Sequence, residues 1–65
     1  MSTKDEIQEI ERRVKSLRLP MSFVLERAKI STPTWTRWKN GTHSPLKEKW
    51  DAVVAAVEDI ERRLA

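Results

Sequence analysis

The chemistry-bearing residues of this 65-residue chain gather in one short stretch, Ser31-Thr32-Pro33-Thr34-Trp35-Thr36-Arg37-Trp38-Lys39-Asn40-Gly41. Wound as a helix at about 100° per residue, the stretch puts Trp35 and Trp38 about 60° apart, which marks the inward side. Pro33, Thr36, Arg37 and Asn40 cluster opposite them. That outward face carries a guanidinium, a hydroxyl and an amide beside an apolar proline ring. A guanidinium donates two parallel hydrogen bonds to paired acceptors, on a base edge or a phosphate. Hydroxyl and amide both donate and accept. The set suits recognition of a polar or anionic partner rather than catalysis. No carboxylates form a recognisable pair, no nucleophile sits beside a base, and cysteine is absent. His43 is the only histidine, so a metal or catalytic role for it lacks partners. No enzyme activity and no cofactor are expected.

Four helices are expected to position that face. Ser2 or Thr3 can cap the first, whose acidic start and basic end (Arg12, Arg13, Lys15, Arg18) both suit the helix dipole. Ile7, Ile10, Val14 and Leu17 give it one apolar stripe, over about residues 3–18. Leu19-Pro20 breaks it, and Pro20 can open a second helix with Met21, Val24, Leu25 and Ala28 on one face. That helix should end near Lys29. Ser31 is a cap for the third helix, Pro33 suits its first turn, and Asn40-Gly41 stops it; Gly41 is the only glycine. Thr42 and His43 form a loop. Ser44-Pro45 repeats the start signal for a last helix over about 45–64, with Trp50, Val53, Val54, Val57, Ile60 and Leu64 as its stripe. No strand pattern occurs. The expected fold is all-α: one domain over residues 1–65, a compact four-helix bundle with long first and last helices. Its helix-turn-helix spans about residues 20–41, the layout in which a second helix reads DNA.

A chain this short buries only about 60% of its unfolded surface, so the core is small and the tryptophans should anchor it. No apolar run approaches the ~20 residues that span a bilayer, and the N-terminus lacks a signal-peptide stretch. A cytoplasmic, nucleoid-associated protein is the expectation. The net charge of +3 conceals a segregation. Residues 1–11 carry a net of −3, residues 12–49 hold ten basic against two acidic side chains for a net of +8, and residues 50–65 carry −2. A central basic segment fits a phosphate-binding surface; the plainer reading is a solvated surface that happens to be basic.

Residues 19–45 resemble the lambda-repressor/Cro-like helix-turn-helix family of DNA-binding proteins. The resemblance rests on Leu19, Val24, Ala28, Ile30-Ser31, Thr34-Trp35, Arg37-Trp38, Asn40-Gly41 and Pro45, at the family's spacing without a gap. It implies double-stranded DNA as partner and the third helix in the major groove. By position it implies base contacts from Thr32, Pro33, Thr34, Thr36 and Arg37. Phosphate contacts are implied from Met21, Ser22, Asn40, Thr42, His43 and Lys47. Arg37 is the main candidate for base readout, since a guanidinium on guanine O6 and N7 is worth roughly 1–3 kcal/mol of discrimination. A phosphate contact by Arg37 is the alternative. The chain departs from the family at Leu25, where alanine is frequent, and at Lys29, where glycine is. A lysine at 29 must take the left-handed conformation, at ~1 kcal/mol, or alter the turn. Lys39 stands where the family frequently has a glutamate that often pairs with an arginine of the first helix, so the resemblance does not carry that pairing over. The family usually has a fifth helix; here the fourth, unusually long, is expected to be the last.

The resemblance and the small size together imply a phage or mobile-element-type repressor, binding a pseudo-palindromic operator as a homodimer with no small-molecule effector. Ile7, Val57, Ile60 and Leu64 are the expected dimer interface; the alternative is that the terminal stripes zip together within one chain. Phe23 falls off the apolar face of its helix, either covering the first helix or meeting another subunit. The competing function is an antitoxin or adaptor whose terminal amphipathic helices hold a partner protein.

Overall fold

Apolar residues three and four positions apart give each segment one face to bury, and four helices result. The computed structural model describes residues 3–64. They form α1 (Thr3–Ser16), α2 (Met21–Ala28), α3 (Thr32–Lys39) and α4 (Lys47–Leu64), with no strand among the described residues. The fold is an all-α four-helix assembly, 34 Å along its longest axis. α4 packs most extensively on α2, and α1 touches all three other helices.

The core draws on every helix: Ile7, Ile10 and Val14 of α1, Val24 and Leu25 of α2, Trp35 and Trp38 of α3, and Val53, Val57 and Ile60 of α4, with Ile30 from the turn. No polar or charged residue among those described is buried. Trp50 stacks parallel to Trp35 at 6.3 Å between ring centroids, and Trp38 tilts against both. This triad fixes α3 on the N-terminal part of α4. Among the described residues, ion pairs bind helix to helix from outside: Arg13 to Glu61, Arg27 to Asp59 and Lys39 to Glu11.

The first three helices end in the same device. A left-handed residue follows each helix, its amide bonds the carbonyl three residues back, and the next amide bonds the carbonyl five residues back. In α1 these are Arg18 to Lys15 at 2.9 Å and Leu19 to Val14 at 3.4 Å. In α2 they are Lys29 to Glu26 at 3.2 Å and Ile30 to Leu25 at 2.8 Å. In α3 they are Gly41 to Trp38 at 3.2 Å and Thr42 to Arg37 at 3.0 Å. Lys29, at φ 60°, thus resolves the expected choice in favour of the left-handed conformation. Arg18 does the same at φ 60°, and so stops α1 two residues short of the expected end. Leu19 and Ile30 return to the core, which holds both turns shut.

Two helix starts differ from expectation. Pro20 is extended (φ −71°, ψ 148°) and precedes α2 rather than opening it. α4 begins at Lys47, not Pro45: the Leu46 carbonyl accepts the Trp50 amide at 2.8 Å, and Ser44 caps nothing. Trp50 must reach the other two indoles, and that fixes the helical register downstream of Pro45. The start of α3 is as expected, with the Ser31 hydroxyl accepting the Thr34 amide at 3.3 Å and Pro33 in the first turn. The cap expected from Ser2 or the Thr3 side chain lies outside the described residues.

Candidate nucleic-acid interface

The outward face of α3 is built from behind. Trp35 and Trp38 are held in the core, so Pro33, Thr36, Arg37 and Asn40 turn to solvent. Thr32 is exposed at the first position of the helix. Arg37 has no ion-pair partner among the described residues, although most of the arginines have one. An exposed guanidinium without a carboxylate keeps all five donors for a ligand. Thr34 is less exposed than the other expected base contacts. It is half-buried, and its hydroxyl lies 2.7 Å from that of Ser31 in the cap.

Arg37 lines a groove of about 280 Å³ with Thr34, Trp38, His43, Ser44, Leu46 and Lys49. The structure thus gathers three expected site residues, Thr34, Arg37 and His43, and adds Lys49, which sequence reasoning missed. Lys49 is exposed, and no ion pair holds it among the described residues. Its one signal was membership of the basic segment 12–49.

Other expected phosphate contacts are placed differently. Ser22 is exposed in the first turn of α2, while Met21 is half-buried against the core. Thr42 is exposed in the closing turn of α3. Asn40 opens toward α1, sharing a shallow groove with Lys4, Gln8, Glu11 and Lys39. Lys47 pairs with Asp51 at 3.0 Å and lies beside Glu6, Pro45 and Trp50, in an acidic neighbourhood remote in character from Arg37. Lys39 meets Glu11 of α1 at 3.2 Å, and Glu11 also accepts the Trp35 indole N–H at 3.3 Å.

Compared with known proteins, the chain matches no family model, no curated protein and no solved structure. Its own geometry must carry the functional argument.

That geometry also divides the expected dimer residues. Ile7, Val57 and Ile60 are buried at 1%, 0% and 4% exposure by the chain's own helices. They are therefore not a surface, because the terminal stripes zip together within one chain. Leu64 alone is exposed. Phe23 is 41% exposed and lines a groove with Leu19, Ile60 and Leu64 near the C-terminal end of α4, with the Arg27 guanidinium 6.0 Å from its ring. No described helix is long and apolar enough to cross a membrane.

Proposed function

We propose that the chain is a small sequence-specific regulator that binds double-stranded DNA, with α3 in the major groove. The observation that carries this reading is the unpaired Arg37 on a solvent face of α3, buttressed by buried tryptophans, with Lys49 and His43 in the same groove. Rigid backing matters, because a side chain held on a packed helix loses less freedom on reaching a base edge. The three-residue turn Lys29-Ile30-Ser31 between two eight-residue helices agrees with a helix-turn-helix unit. A repressor acting as a homodimer on a pseudo-palindromic operator, of the kind phages and mobile elements carry, is the form proposed. Two half-sites would then lie about 34 Å apart.

The test is selection of bound duplexes from a randomised pool at physiological salt. An inverted repeat with guanine in each half-site, relaxed at those guanines by Arg37→Ala, supports the reading. Binding without a motif that fades as salt rises would reduce the face to a basic surface and remove the proposal. The adaptor reading has less to stand on, since the apolar stripes of α1 and α4 are consumed by the core.

A further inference from the structure

Leu46 suits neither the fold nor the solvent around it. It is 68% exposed, more than Leu64 or Phe23, the other large apolar side chains that reach solvent among the described residues. It belongs neither to the core nor to the side chains packed against it. Leu46 stands immediately before α4, and its carbonyl accepts the Trp50 amide at 2.8 Å, so it occupies the cap position of that helix. A leucine there has no oxygen to offer the free amides of the first turn and ranks among the poorest caps. Serine or asparagine would suit both the helix and the water. A single exposed leucine is ordinary; one at a helix cap and in a basic groove calls for a contact outside the chain.

The groove defines that contact. Leu46 lines it together with Arg37, His43 and Lys49, and no carboxylate lines it among the described residues. Of the acidic residues at the start of α4, neither Glu48 nor Asp51 lines it, and Asp51 is held by Lys47. The occupant must therefore be anionic and still present an apolar group. On duplex DNA, phosphates supply the charge, and the C5 methyl of thymine is the apolar feature of the major-groove base edges. Leu46 also keeps a fixed relation to α3, because the Trp50 that bonds its carbonyl stacks on Trp35. We infer that Leu46 is a specificity residue, packing on the C5 methyl of a thymine that neighbours the guanine read by Arg37. This inference rests on the DNA-binding reading and adds one base pair to what the chain reads.

The test uses the duplex selected by the whole chain, with that thymine replaced by deoxyuridine, which removes the methyl and nothing else. The wild type is expected to bind the uracil duplex about fourfold more weakly per half-site, the effect of burying one methyl-sized group. Leu46→Ala should bind the thymine duplex more weakly and treat thymine and uracil alike. Leu46→Ser should also lose the preference, while its melting temperature holds or rises because serine caps α4; unfolding then cannot explain the loss. Its salt dependence stays that of the wild type, since no charge is removed. A selected motif with no thymine beside the guanine overturns this inference and leaves the DNA reading standing. So does a wild type indifferent to uracil, or a preference that survives in both Leu46 variants. Recovery of no motif at all removes both.

Discussion

Arg37 differs from most arginines of this chain in what it lacks. Arg12, Arg13, Arg27, Arg62 and Arg63 each lean on a carboxylate, and Arg37 leans on none among the described residues. Its replacement should therefore cost the fold almost nothing and the proposed complex a great deal. Arg37→Ala is expected to leave the melting temperature within error while losing roughly 1–3 kcal/mol at the guanine it reads, measured as binding to operator and to single-base variants. Lys49→Ala should behave otherwise. An ammonium is a point charge and carries no bidentate geometry, so its loss weakens all sequences alike and lowers the salt slope by about 0.9. A titration of affinity against salt separates the two roles, and identical behaviour of the two variants would refute the division. The outward face of α3 was legible from helical periodicity because tryptophan spacing names the inward side. Lys49 was not, since no periodicity says which residue of a following helix folds back beside Arg37.

At the scale of elements, three helices stop by one hydrogen-bond pattern with three different residues in the left-handed position. Only Gly41 adopts it at little cost; Arg18 and Lys29 carry the steric penalty of a Cβ. Substitution should thus have opposite signs at equivalent sites. Lys29→Gly and Arg18→Gly are each expected to stabilise by about 0.5–1 kcal/mol, the relief of strain less the greater unfolded-state entropy of glycine. Gly41→Ala should destabilise by a similar ~0.5–1 kcal/mol, although its added methyl would meet nothing within 4 Å. Chemical denaturation of the three variants checks this, and like signs at Lys29 and Gly41 would contradict it. The glycine announced its turn in the sequence, and Pro20 announced a boundary. Arg18 announced nothing, because arginine has no preference for that conformation and Leu19 shuts the turn through a tertiary contact. The same limit hid the Lys39–Glu11 pair, whose partners lie on different helices. It also left the fate of the terminal stripes open: periodicity identifies Ile7, Val57 and Ile60 as buried without naming what buries them. Since the chain itself does, Ile60→Asp should unfold the protein rather than merely separate copies.

Across the whole molecule, α1 and α4 are clasped by a pair joining residues 48 apart, Arg13 and Glu61, and the second of its hydrogen bonds measures 3.2 Å. The Arg13 guanidinium holds the Glu61 carboxyl below its ordinary value of 4.5, chiefly by hydrogen bonding and against a smaller desolvation effect. Arg12 lowers Glu9 in the same way, but within one helix, where both side chains face water. A carboxylate whose pKa is lowered by folding stabilises the native state fully above its unfolded value, and that contribution disappears as pH falls through the lowered native value. The clasp should therefore act at neutral pH and vanish on acidification below the ordinary carboxylate range. About a third of each side chain remains exposed, so solvent screening limits the effect to about 1 kcal/mol or less. Glu61→Gln is expected to lower stability by that amount at pH 7, and to converge with the wild type near pH 2 as Glu61 itself becomes neutral. Denaturation midpoints across this range supply the test. A difference that persists undiminished in acid would mean that Glu61 acts through packing on α1, and that charge contributes nothing to the clasp.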